Sequence, residues 1–371
     1  MCFIHGAISS IDPAVISLRL TLVEYTPSRF QTLCKAARQI KSNYSLCHRP
    51  FVDYYYASRD SCKLYLSLSS AGDVNGLVGV EHMPFEFESQ PFTLGLGTNF
   101  HALQHGVGGL LFMQWVKSSS LTLEYGGSED AHRIVRQQNW TYFPGVRIYT
   151  LNYDYPVYSG DRVHRRAAKG ILRHWARRRI SAYACGDFDV ARGQVTVREE
   201  SAFSEDLLPS KSPFRFRLAP TPEYLNWRYN LRLSFVSYRV FRILVRGRSA
   251  GYVIINENQQ RLLVAQCDAE AAETLAYGVL LSILQLGGQD RFPRTALLTC
   301  SNPTMAGIYE KFGFRPGKKD YPIAIGGLRN RVELPTDTTN WLVNFDWGDN
   351  GLLGPFRDQE SPSGKRLWAK A

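Results

Sequence analysis

The sequence predicts a mixed α/β (α+β) protein built from two halves of similar layout. Three observations carry this expectation. At 371 residues the chain exceeds the ~100–200 residues of an ordinary domain. Segments alternating every second residue are interleaved with segments of helical period along its whole length. Most of the element order on one side of a strongly basic stretch also recurs on the other. The expected division is a first domain over 1–157, a basic helical linker over 158–190 and a second domain over 191–371.

In the first half, Ser17 to Val23 alternates like a strand, and Pro27 followed by Phe30, Leu33, Ala37 and Ile40 marks an amphipathic helix. A short helix covers Phe51 to Ala57. Lys63 to Ser69 and Leu77 to Phe87 alternate on either side of a Gly/Asp/Asn turn, which predicts a hairpin. Phe92 to Gly97 forms the next strand, Leu110 to Val116 a buried helix and Leu121 to Tyr125 a strand. Ser128 is placed to cap a helix over Glu129 to Gln138, and Val146 to Asn152 closes the half as a strand.

The second half opens with a strand at Gln194 to Arg198, then a proline-punctuated stretch and a helix in TPEYLNWRY, residues 221 to 229. Tyr238 to Val245, Gly251 to Asn256 and Arg261 to Cys267 predict three strands. Leu275 to Leu286 is apolar at helical spacing, Thr295 to Cys300 is a strand, Pro303 to Phe312 a helix and Trp341 to Phe345 a closing strand.

Composition excludes several classes. No apolar run approaches the ~18 residues needed to span a bilayer, and Asp12, Pro13 and Arg19 interrupt the apolar start, which argues against a secretory signal. Seven scattered cysteines without C-x-x-C argue against a disulfide framework or a cysteine zinc site and fit a cytoplasmic protein. His101 and His105 are four apart, but Ala102 and Gly106 remove the glutamate and the helix a zinc motif needs, so no metal is expected. The net charge is +11, of which eight cations without an acid lie between Arg162 and Arg179, leaving the body mildly basic. That run suits phosphate-rich nucleic acid, an acidic membrane face or an acidic ligand, or simply the solvated face of an amphipathic linker helix, since Ala167, Ile171, Trp175 and Ile180 recur at near-helical spacing.

The stretch from residue 92 to 117, FTLGLGTNFHALQHGVGGLLFMQWVK, organises the rest. A strand runs into a turn with Gly106, Gly108 and Gly109, and an apolar helix follows at once. Such a turn leaves backbone N–H groups bare at a helix N-terminus, where dipole and donors together favour a phosphate. The same sequence also serves as a plain strand-to-helix connection.

Ala306 to Phe314, AGIYEKFGF, with the preceding strand TALLTC and Asn302, resembles the fourth helix of the GNAT superfamily of acyl-CoA N-acyltransferases. His101 to Leu110 resembles that family's pyrophosphate loop more loosely: Gly106 and Gly108 fall on its glycines, but Leu103 stands where glutamine or arginine belongs, with Gln104 one place late. Both halves together suggest a tandem GNAT architecture, each half a mixed, twisted sheet with helices on both faces.

The resemblance implies an acyl-CoA such as acetyl-CoA as co-substrate and a small-molecule amine as acceptor. It places the cofactor's phosphates against Gln104, His105, Gly106, Val107, Gly108 and Gly109. Tyr309 matches the helix-four tyrosine that protonates the departing thiolate, whereas Val135 takes that position in the first half. Tyr309 equally suits a core position. Glu81 and Asp268 are candidate general bases or solvated strand-end acids. The second-half turn CDAEAAET carries Asp268, Glu270 and Glu273 and no glycine, so it is expected to repel a pyrophosphate. Cys267 and Cys300 end strands near either a cleft or a core. Asp346 and Asp349 are placed for a substrate amine or for a turn. Besides the acyltransferase reading stand an aminoacyl-tRNA-dependent peptidyl transferase of tandem type, for which the arginine run would contact RNA, and a catalytically degenerate binding protein.

Overall fold

The computed structural model describes residues 21–41, 44–127, 129–152, 162–168, 170–171, 174, 194–257, 261–287, 295–327 and 334–347. The first part of the chain forms β1 (Thr21–Glu24), α1 (Phe30–Ile40), α2 (Arg49–Ala57), β2 (Cys62–Leu68), β3 (Val74–Phe87) and β4 (Gln90–Ala102). It continues with α3 (Val107–Lys117), β5 (Thr122–Tyr125), α4 (Glu129–Gln137), β6 (Thr141–Phe143) and β7 (Arg147–Asn152). The second part forms β8 (Val195–Glu200), β9 (Phe216–Leu218), α5 (Pro222–Arg228), β10 (Tyr238–Val245), β11 (Arg248–Glu257) and β12 (Leu262–Ala269). After these come α6 (Ala272–Gly287), β13 (Thr295–Cys300), α7 (Pro303–Phe312), β14 (Arg315–Pro316) and β15 (Ile323–Gly326).

Two mixed sheets result. One has the order β1-β2-β3-β4-β5-β15-β6, with β9 added to the end of β3; the other has the order β8-β10-β11-β12-β13-β7-β14. The two orders match position for position, and in each the one parallel step falls at the same place, β4 with β5 and β12 with β13. Besides β9 at the margin of the first, each sheet takes one interior strand from the far side of the basic stretch. β15 pairs with both β5 and β6, and β7 pairs with both β13 and β14, so the exchange is reciprocal.

Alternation along the strands explains how the layers pack. Val78 and Val80 of β3 turn to α3 and α4, forming a cluster with Val107, Leu111, Trp115, Val135 and Ala324. The opposite face, carrying Leu64, Leu66, Leu77, Leu96 and Leu123, packs on α1, α2 and α5. Tyr238, Val240, Tyr252, Ile254 and Ala265 of the second sheet join the same cluster, so the sheets share one core. The outer face of the second sheet is covered by α6 and α7 through Leu275, Val279, Ile283, Met305 and Phe312.

Some expectations shift. β4 continues through the predicted break at Thr98 as far as Ala102, because Asn99 adopts φ +50° and absorbs the irregularity as a bulge between Leu77 and Gly79 of β3. Trp341 to Phe345 is not a strand: it makes a single bridge, Trp341 to Phe216, and spends its other bonds filling a gap described below. The short strands β6, β9, β14 and β15 were not expected. Ser128, Asp349 and most of 158–190 lie outside the described residues. Arg162, Arg165 and Arg166 are exposed at and along helical backbone over 163–168.

Candidate functional site

The parallel pairing of β4 with β5 covers only Gly95–Thr122 and Leu96–Leu123. Beyond it the strands part, and α3, which connects them, starts at the mouth of the gap. Open α/β sheets bind ligands where adjacent strands diverge at their carboxyl ends. Gly106 is the N-cap of α3 at φ +83°, a left-handed conformation natural to glycine, and no side chain caps the helix. A Cβ at Gly106 or Gly109 would meet nothing within 4 Å, and one at Gly108 only the Ala102 methyl at 3.6 Å. Gln104 and His105 are exposed in the turn; the Gln104 side chain accepts from Asn75 Nδ2 at 3.2 Å. The first turn of α3 contains no acid. Its N-terminus therefore offers unshielded N–H donors and a positive dipole end.

The wall of this gap is fixed by the bulge. Asn99 Nδ2 donates to the Tyr56 hydroxyl at 2.6 Å and Asn99 Oδ1 accepts from Tyr44 at 2.6 Å. The single Tyr44 proton is thereby used, so His101 Nε2, 2.7 Å from the same hydroxyl, is the donor in that contact. Burial holds the His101 imidazole below its usual pKa.

Glu81 and Asp268 both sit in buried ion pairs. Glu81 Oε1 accepts from Tyr224 at 2.7 Å and from Arg228 Nε at 2.9 Å, joining β3 to α5. Arg228 Nη2 also lies 3.4 Å from Asp346. Burial opposes the Arg228 charge, but Asp346 and Glu81 more than offset it and hold the guanidinium's pKa well above its usual value. Removing Arg228 would strand two buried carboxylates, at a cost on the order of 3–5 kcal/mol. Asp268 pairs with Arg217 at 2.8 Å and accepts from Ser212 at 2.9 Å; the same arginine reaches Glu86 of β3 at 3.0 Å. Burial pushes Asp268 up to about 6 against these partners. Tyr309 is buried in the second core, ring to ring with Phe314 at 5.7 Å and Tyr149 at 6.4 Å, and burial raises its hydroxyl well above the usual value. The glycine turn and Tyr309 thus belong to different sheets, and the two carboxylates serve contacts between the halves.

The second gap opens in the same way, since β12 and β13 pair only at Leu262–Ala296 and Leu263–Leu297. It is filled by the chain itself. Asn344 Oδ1 accepts from Cys267 N at 3.1 Å and Asn344 Nδ2 donates to Cys267 O at 3.4 Å. Asp346 N donates to Ala265 O at 3.1 Å, and Thr299 Oγ1 of β13 donates to Val343 O at 2.8 Å. Segment 341–347 therefore bonds both strands and occupies the space between them. Among the described residues no segment straps the first gap in this way. The acids of the second turn are also redistributed: Asp268 faces Arg217, Glu270 accepts from Ser210 at 2.7 Å, and only Glu273 lies in the first turn of α6.

The sequence matches no family profile and no curated protein. Solved structures match over most of the chain. A conserved protein from Enterococcus faecalis V583, named "Probable N-Acyltransferase", superposes with a TM-score of 0.52 over 82% of this chain and 71% of its own, at 10% identity. N-myristoyltransferase of Saccharomyces cerevisiae, with bound myristoyl-CoA, gives 0.52 over 85% and 84% at 7% identity. The chain has the GNAT fold. A GCN5-related glucosamine N-acetyltransferase region from a fungal multi-domain β-N-acetylglucosaminidase gives 0.50 over 86% of this chain and 40% of that one, at 10% identity. Within this fold the two parallel steps of the sheets are equivalent positions, one open at a glycine turn and one strapped.

Sequence reading missed Arg228, Arg217 and Asn344, which decide what the carboxylates and the second gap do. It also missed Glu124 and His132, whose signal was an acid inside the apolar strand LTLEY and a histidine three residues before Val135 on the inward side of α4. Among the described residues no helix is long and apolar enough to cross a membrane, and no group of three His, Cys, Asp or Glu is placed to hold a metal.

Proposed function

We propose that this protein is an acyl-CoA-dependent N-acyltransferase that holds its acyl donor, acetyl-CoA or another acyl-CoA, in the first gap and transfers the acyl group to a small-molecule amine. The observation that carries this reading is the uncapped, glycine-opened N-terminus of α3 at the point where β4 and β5 part. Bare donors and the helix dipole suit the pyrophosphate, and Gly106, Val107, Gly108 and Gly109 let backbone approach it without an intervening side chain. The GNAT fold supports the reaction class. The second half contributes shape and the buried pairs of Glu81 and Asp268 rather than a second donor site.

Gly108→Trp tests the donor site. Its position is open enough to accept bulk at the surface, so the fold should persist by circular dichroism while acetyl-CoA affinity, read by calorimetry, falls at least ~10-fold, a loss of about 1.4 kcal/mol. Unchanged affinity in the folded variant would mean that the glycines only turn the chain.

A further inference from the structure

Glu124 is the first residue of β5 beyond its pairing with β4. Because side chains alternate, Leu123 faces the α1–α2 side and Glu124 the side of α3 and α4, on which the open helix N-terminus lies. His132 occupies the inward face of α4 one turn before Val135. Its Nδ1 lies 3.3 Å from Glu124 Oε1, and the two residues are only 7% and 4% exposed. Glu124 Oε1 also accepts from Gly127 N at 2.9 Å, and a Cβ at Gly127 would come within 2.0 Å of that oxygen, so a glycine there admits the carboxylate. Tyr142 of β6 donates to the His132 carbonyl at 3.0 Å. The carboxylate closes the β5–α4 turn through Gly127 N, and the imidazole also bonds the Gly127 backbone. A buried imidazole on an otherwise apolar face adds a desolvation cost that packing alone does not explain.

We propose that His132, steadied by Glu124, carries the proton of acyl transfer in the first gap; this rests on reading that gap as the acyl-donor site. The amine nitrogen attacks the thioester carbonyl, forming the C–N bond. Its surplus proton passes to the imidazole, the C–S bond breaks, and the same proton passes to the departing thiolate, so the cycle needs no other reactant. Glu124 is the positioning residue, orienting the ring and stabilising the imidazolium while it exists. Burial holds His132 below its usual value, which leaves it neutral and able to accept at neutral pH. The charged or titratable groups facing it are Glu124 of β5, Tyr142 of β6 and, on α4 itself, Glu129 and Arg136.

The test needs no knowledge of the acceptor. Free CoA is bound to the full chain and ionisation of its thiol is followed by thiolate absorbance across pH, while calorimetry gives acetyl-CoA affinity. An imidazole at the sulfur should lower the pH at which bound thiol ionises by at least about one unit relative to His132→Gln, because the neutral ring can take the thiol's own proton and the imidazolium so formed holds the thiolate. Acetyl-CoA affinity should stay within about threefold, roughly 0.65 kcal/mol. A role confined to packing would not move the thiol. Should His132→Gln fail to fold, Glu124→Gln serves in its place and is expected to give a smaller shift of the same sign. Equal thiol titration in wild type and folded variant overturns the role of His132 and leaves the donor site standing. Failure of wild type to bind acetyl-CoA at all overturns both.

Discussion

The two gaps between parallel strands began from the same geometry and ended differently. In the first, β4 and β5 part above a helix that starts with Gly106, carries no acid in its first turn and has no side-chain cap. In the second, β12 and β13 part around Asn344 and Asp346, and the helix beyond starts with Glu273 in its first turn. Val107 N bonds Gln104 O, but among the described residues the first leaves Gly108 N and Gly109 N without an acceptor; the second has used the strand groups that a ligand would need. The difference teaches that a fold position predicts a ligand only if its hydrogen-bonding groups are still unspent.

The largest test of the comparison is whether the halves are separable at all. A cut within 158–190 would leave the first fragment without β15, which stands between β5 and β6, and the second without β7, which stands between β13 and β14. Each sheet would lose an interior strand and expose two new edges. Expressed apart, the fragments should fail to show cooperative unfolding, and expressed together they should regain it. A first fragment that unfolds cooperatively alone would show that the exchange is ornamental.

Next in size is the strap. Asn344→Ala removes the partner of the buried Cys267 N–H and C=O, each worth about 1–3 kcal/mol when left unsatisfied, so the denaturant midpoint should drop clearly. Acetyl-CoA stoichiometry should nevertheless remain one per chain, because Glu273 stays in the first turn of α6 and no glycine opens it. Two molecules per chain would erase the asymmetry between the gaps.

How much of this was legible follows from the range of each signal. Alternation and helical period are local, so most strands and helices and their repeated order could be read directly. The exchange of β7 and β15 could not, since Ile323–Gly326 has the same pattern whichever sheet it joins. The glycine turn was visible as letters. Its open Cβ positions and the left-handed conformation of Gly106 were not. Glu81 and Asp268 looked like strand-end acids because Arg228 and Arg217 lie 147 and 51 residues away, beyond any local pattern. Tyr309 carried the strongest motif, yet it stands in the core beside the strapped gap. The motif marks the fold position and does not reveal that Asn344 bonds the neighbouring strand.

The smallest expected effect separates the gaps by pH. Burial pushes Asp268 and Asp346 up to about 6, with Arg217 and Arg228 respectively pulling the other way. An unfolded aspartate titrates near 3.9. Folding therefore favours the protonated forms, so their contribution to stability is full below about pH 4 and is lost as pH rises through about 6. Asp268→Asn and Asp346→Asn should each lose less stability, or gain more, than wild type between those limits, read as denaturant midpoints at pH 4, 5 and 6. Both carboxylates belong to the strapped gap and its strands, whereas Leu103 to Gly109 contains no carboxylate. Acetyl-CoA affinity at the first gap should consequently not change between wild type and Asp268→Asn at pH 6. An affinity that followed the Asp268 titration would place the ligand against the second turn and reverse the assignment of the two gaps.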